Sequence, residues 1–181
     1  MKKFELTNEF IANRFGTKLF RIRALVEFGD VEAGELGGYV EKESNLGHDD
    51  NAWVYGNARV YGDALVCGDA RVCGNAWVHG DAQVSGDALV CGDARVCGNG
   101  DYAYAHGFGS VNRTTTFFRL KDGGVGVRCG CFYGTLAQFR DKIRETHGET
   151  KKAQEYLMLA DLMELRFEED ENEVGNRKYV E

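Results

Sequence analysis

Six cysteines and four histidines carry the widest chemical reach in this 181-residue sequence. Cys67, Cys73, Cys91 and Cys97 each precede a glycine and recur at one position of a short repeat, unlike a disulfide framework. Such thiols stay reduced in a cytoplasm. Cys129-Gly130-Cys131 supplies two thiolates, half of a structural zinc set, and no second Cys or His pair lies nearby. Residues 129 and 131 of a strand share a face, which favours buried thiols. The histidines, His48, His79, His106 and His147, are scattered. Gly107-Phe108-Gly109-Ser110, with Asn112, Arg113 and Thr114–Thr116, offers amides, hydroxyls and one cation. That set suits either a phosphate or a plain cap loop. No cofactor and no metal is expected.

The elements that must position these groups come from a repeat, Asn/Asp-Ala-x-Val-x-Gly, present in eight uninterrupted copies from Asn51 to Gly98. A period this short and strict means a solenoid. Val54, Val60, Val66 and their successors point inward, because β-branched side chains fill a pleated core. The alanines are small because they pack near a corner. Glycine with Asn or Asp makes the turn, since both tolerate positive φ. Residues 51–74 and 75–98 differ only at Tyr55/His79, Asn57/Asp81, Arg59/Gln83 and Tyr61/Ser85. This duplication points to growth of the repeat, not to a doubled site.

These residues resemble the hexapeptide repeats of left-handed parallel β-helix proteins, such as acyltransferases and γ-type carbonic anhydrases. The resemblance implies a triangular coil of 18 residues, coils stacked at about 4.8 Å, and assembly as trimers. It then stacks outward side chains on three sides. The first carries Trp53, Arg71 and Leu89, flanked by Tyr55, Cys73 and Cys91. The second carries Arg59, Trp77 and Arg95, flanked by Tyr61, His79 and Cys97. The third carries Leu65 and Gln83, with Cys67 and Ser85. Alternating arginine and tryptophan suits cation–π stacking between coils. Arg, Trp and Tyr are also the residues enriched at interface hot spots, so at least one side is expected to meet another subunit. Cys73 and Cys91 become neighbours across a rung, within disulfide reach if oxidised. The resemblance also implies a histidine general base at a subunit boundary. His79 is the only histidine on the prism, but no loop interrupts the repeats to hold an acyl donor. The carbonic anhydrase reading needs three converging histidines, and nothing joins His79 and His106 as the third.

Both ends of a solenoid need caps against exposed strand edges. Three regions follow: a cap and lead-in coil (1–50), the β-helix (51–98) and an α+β module (99–181). In the first, Leu19–Val26 alternates as a strand, Phe28-Gly29-Asp30 turns, and Gly34–Gly38 is a glycine-rich loop. Val40 and Leu46 point inward. In the third, Thr114–Leu120 and Val125–Cys131 form a hairpin about Lys121–Gly124. Thr135 caps a helix with Gln138 closing a capping box. Leu136, Phe139 and Ile143 form its stripe, and Gly148 ends it. A second helix spans about Thr150–Phe167, with Tyr156, Leu157, Ala160, Met163 and Leu165 inward. The tail from Glu168 is acidic and expected to fray. The segments 34–62 and 114–148, with Leu19–Leu25, resemble hypothetical proteins of bacteriophages and prophages. That resemblance implies a phage origin and carries over no catalytic residue.

A net charge of −7 speaks against direct nucleic-acid binding, which shows as a basic face. No apolar run approaches the roughly 18 residues of a membrane span, and the N-terminus lacks the apolar stretch of a signal peptide. A cytoplasmic location in the host cell is expected. The favoured function is a non-enzymatic binding protein on an oligomeric scaffold, with a host-defence protein as target. The alternatives are a sponge that holds a small nucleotide between subunits, through Arg59, Trp77, Arg95 or Arg113, and an acyltransferase based on His79. Trp53, Tyr55, Tyr61, Arg71 and His79 complete the expected interface.

Overall fold

The computed structural model describes residues 1–168 apart from Ser110 and Asn112. The fold is mainly β: a solenoid of about three turns, an N-terminal cap, and a C-terminal sheet backed by two helices. The chain from Glu169 to Glu181, where the fraying tail is expected, lies outside the described residues, as do two members of the Gly107–Asn112 loop.

Each repeat contributes one two-residue strand. These are β4 (Trp53–Val54), β5 (Arg59–Val60), β6 (Leu65–Val66), β7 (Arg71–Val72), β8 (Trp77–Val78), β9 (Gln83–Val84), β10 (Leu89–Val90) and β11 (Arg95–Val96). Strands one turn apart pair in parallel with an 18-residue offset: Val54 beside Val72 beside Val90, Val60 beside Val78 beside Val96, and Val66 beside Val84. The repeat valines and alanines are fully buried and form one continuous core. Seven of the eight repeat glycines, Gly56 to Gly92, take φ between 60 and 71°, while Gly98 is extended where the chain leaves the repeat. Asn51 donates to Asp69 at 2.8 Å, one corner above the next.

The lead-in already belongs to the solenoid. The expected glycine loop at 34–38 is instead largely a strand, β3 (Leu36–Val40). The reason is close approach rather than turning: a Cβ at Gly37 would strike the Val54 carbonyl, and one at Gly38 the Ala58 carbonyl. β3 pairs in parallel with β5, and Leu46 bridges to Val66, so Val40 and Leu46 are inward as expected. The offset here is 20 residues, because the corner between Leu46 and Val54 is two residues longer than the others. An antiparallel hairpin of β1 (Phe4–Ala12) and β2 (Lys18–Ala24) extends the same sheet past β3. β1 has no counterpart in the sequence reading.

At the other end, β12 (Tyr102–Phe108), β13 (Arg113–Arg119), β14 (Val125–Cys129) and β15 (Phe132–Thr135) form an antiparallel sheet in chain order. The expected hairpin is β13–β14, with Arg119 opposite Val125. β13 alternates: Phe118 enters the solenoid core, while Phe117 meets the helices. α1 (Leu136–His147) starts with the Thr135–Gln138 capping box and ends at Gly148, whose φ is 57°. α2 (Lys151–Phe167) buries Ala153, Tyr156, Ala160, Met163 and Phe167. Leu157 is half-buried and Leu165 is exposed, against expectation. Phe167, one helical turn beyond Met163, takes the inward place instead, with the Arg119 guanidinium over its ring.

Rung contacts distinguish corner glycines that share one sequence role. Gly56 and Gly80 have φ of 60 and 66°. A Cβ at Gly56 meets open space, whereas one at Gly80 collides with the Cys97 carbonyl. Gly56→Ala is expected to lose about 1–2 kcal/mol from the left-handed backbone alone. Gly80→Ala is expected to lose more, read as a lower midpoint in urea unfolding.

Candidate functional site

The three outward ladders meet different fates. On the first side, Trp53 is fully buried rather than open. Phe4 lies 6.3 Å and Phe28 5.4 Å from its ring, both edge-on, so the chain's own N-terminal cap covers it. Tyr55 donates to Asp30 at 3.0 Å, and Arg71 pairs with the same carboxylate at 2.9 Å. Burial and Asp30 push the Tyr55 hydroxyl up to about 12. The expectation of Trp53 as an outer contact residue is therefore corrected: it seats the cap, while Tyr55 and Arg71 hold Asp30 and stay partly exposed. Higher on this side, Cys91 is buried, with the C-terminal sheet's Arg128 and Tyr133 beside it.

The second side keeps its ladder. Arg59 and Arg95 lie over Trp77, one from each neighbouring rung, with guanidinium carbons 5.0 and 4.2 Å from the ring centroid. Beside them Tyr61 stacks on His79 at 4.9 Å with planes 7° apart. His79 Nε2 in turn sits 3.2 Å from Cys97 Sγ. The aromatic and cationic partners recorded for Trp77 all belong to the solenoid. Arg59 and Arg95 are in no ion pair among the described residues. Arg95 donates to the Asn75 and Ala94 carbonyls, while the buried Arg59 Nε has no hydrogen-bond partner. Burial lowers the Arg95 guanidinium and raises the Tyr61 hydroxyl.

The ladder continues downward through Tyr39, in register with Arg59. Arg21 lies over the Tyr39 ring at 5.4 Å, and the Tyr39 hydroxyl donates to Glu9 at 3.0 Å. The sequence reading missed this rung because its 20-residue offset breaks the repeat period. Arg113 is not part of the ladder: it starts β13, with its guanidinium against the Gly130 turn. On the third side Leu65 and Cys67 are half-buried and Gln83 is exposed.

The histidines do not converge. His48 stacks on Phe4 at 4.5 Å, His106 contacts Thr114 at 2.9 Å, and His147 stacks on Tyr156. Among the described residues no three His, Cys, Asp or Glu side chains gather to hold a metal. Cys129 meets Thr115 and Tyr156, while Cys131 is exposed, so the two thiols do not share one environment. No helix among the described residues is long and apolar enough to cross a membrane.

Three stretches, residues 52–68, 64–80 and 82–98, match the family model of the YdcK β-solenoid repeat. All three lie within the solenoid, and the chain is thus similar to that family in its repeats. Among curated proteins none matches the chain significantly.

Two consequences are measurable. Trp53→Ala empties a fully buried site and is expected to destabilise by about 3–5 kcal/mol, while Trp77→Ala lowers the thermal midpoint less. Burial holds His79 below its ordinary 6.5, with Asp101 opposing. The folded state thus favours neutral imidazole. Its contribution is present above pH 6.5 and is lost as pH falls through the folded value. Acid should therefore destabilise the parent protein more steeply than His79→Gln, measured by urea unfolding between about pH 7 and 5.

Proposed function

We propose that the protein is a non-enzymatic binding scaffold, assembled from several copies through the second side of its solenoid, and that the assembly engages a host protein. The observation that carries this reading is the Arg59–Trp77–Arg95 ladder, in which the ring and cation contacts of Trp77 stay within the solenoid and two guanidinium groups lie outside any ion pair among the described residues. A stacked guanidinium is held in place before a partner arrives, so little side-chain entropy is lost on docking. The chain itself offers complementary charge: residues 24–50 hold eight carboxylates against the single Lys42. A trimer is the preferred assembly, following the hexapeptide β-helix resemblance. The likeness of segments 34–62 and 114–148 to phage proteins supports placing the host target in a defence system.

The nucleotide reading fares less well on this geometry. Trp77 already has a guanidinium on each side and Tyr61 is stacked on His79, so neither of the two rings offers two free faces to a base. Catalysis by His79 fares less well for a similar reason, since Cys97 occupies its Nε2 and no loop leaves the repeats beside it.

Light scattering coupled to native mass spectrometry tests the assembly. The parent protein is expected as a trimer without added small-molecule mass, and Arg59→Glu with Arg95→Glu as a folded monomer. A monomeric parent protein defeats the assembly, and a trimer indifferent to both substitutions removes the second side from it.

A further inference from the structure

Cys73 and Cys91 occupy one outward position on consecutive rungs. Val72 and Val90 are in register, and Cys73 N donates to the Val90 carbonyl at 2.9 Å. In-register parallel neighbours stand about 4.8 Å apart at the backbone, inside the span a disulfide bridges. The two side chains are thus neighbours on one ladder, and each thiol is the largest influence on the other's protonation. None of the other repeat cysteines has this arrangement. Cys67 has Gly47 below it and Ser85 above it in the same ladder, and Cys97 has an imidazole.

Two cations influence the pair, Arg71, which also pairs with Asp30, and Arg128. Arg71 lies two residues before Cys73 on its own rung, and the charge of Arg128 on β14 favours the thiolate at both cysteines. Tyr133 of β15 lies over the Gly92 corner. Below, Tyr55 occupies the same ladder position, bound to Asp30 of the cap. Arg128 Nε is buried and has no hydrogen-bond partner. Sharing of the Cys91 proton, helped by Arg128 and Arg71, brings Cys73 down to about 7 and correspondingly raises Cys91. Access differs in the same sense: Cys73 is half-buried, while Cys91 is 6% exposed.

We propose that Cys73 and Cys91 form a hydroperoxide-oxidisable dithiol, with Cys73 as the attacking thiolate and Cys91 resolving it into a disulfide that joins two rungs beneath the C-terminal sheet. The Cys73 sulfur attacks a peroxide oxygen, the O–O bond breaks, and hydroxide leaves to become water with a solvent proton. Cys73 is then a sulfenic acid. The Cys91 sulfur attacks the Cys73 sulfur, the S–O bond breaks, and the departing hydroxide leaves as water with the Cys91 proton. Two thiols lose two electrons, and one peroxide becomes two waters. The site is independent of the second-side ladder.

The probe is hydrogen peroxide, added in slight excess to the full chain and followed by intact mass and peptide mapping. The expected product has lost two hydrogens and carries a Cys73–Cys91 link. The rate of its formation is expected to reach half its plateau near pH 7. Cys91→Ser is expected to stop at a Cys73 sulfenic acid, trapped by dimedone, and to form it faster than at the exposed Cys131 in the same sample. Arg128→Gln is expected to move the half-rise toward alkaline pH. A chain in which Cys73 and Cys91 stay reduced, or in which Cys73 reacts no faster than Cys131, overturns the proposal. A half-rise at the ordinary thiol value near 9.0 overturns the role of Arg128 and the shared proton.

Discussion

The backbone ladder between rungs has a polarity, and the rest of the structure answers to it. The N–H groups of Trp53, Arg59 and Leu65 donate to Ala70, Ala76 and Ala82 on the rung above. A finite stack therefore ends with carbonyls lacking donors below and N–H groups lacking acceptors above. Such groups are expensive to leave buried without a partner. Below, the buried Lys3 ammonium donates to Asp50 and Ala52 carbonyls, and buried Asn45 donates to Gly62 and Ala64 carbonyls. The lead-in backbone serves others, Tyr39, Glu41 and Gly47 donating to the Ala58, Val60 and Val66 carbonyls. Above, the acceptors are side chains: Asn99 takes Gln83 N–H, Thr116 takes Leu89 N–H, Asp101 takes Cys97 and Gly98 N–H, and Tyr102 takes Ser85 N–H. Donors to rung carbonyls thus predominate at one end and acceptors of rung N–H groups at the other.

This requirement explains why the two flanks press so closely on the prism. The β12–β15 sheet reaches the last rung through Thr116 and the Ala94–Leu120 bridge. Its far face then needs the helices, which cover Phe117 and Val127. The N-terminal hairpin likewise arrives with Lys3 and Phe4, one satisfying carbonyls and the other covering Trp53. Capping by flanking chain takes away parts of the first side and leaves the second side's Arg–Trp–Arg ladder outward.

The same geometry gives the two sides different chemistry from nearly identical residues. The repeat places a residue at each outward position, and the rung above or below decides its neighbour. Cys97 meets an imidazole, whereas Cys73 meets a second thiol and a cation from a distant strand. Local sequence around the two cysteines is the same, Asp-Ala-Arg-Val-Cys-Gly. Their environments differ because the stack and the docked sheet differ.

The sequence by itself determined the repeat, its inward valines and alanines, its glycine corners, the β13–β14 hairpin and the capped first helix. Each of these rests on local periodicity or turn chemistry, which neighbouring residues carry. It also determined which outward residues share a ladder, once the turn length was known. Tertiary structure alone decided that Gly37 and Gly38 lie in a strand, that Trp53 is core, and that Arg128 stands by Cys73 and Cys91. Those facts depend on which distant segment satisfies an open strand edge. That selection is made by hydrogen-bond polarity and shape across the chain, and no local pattern records it.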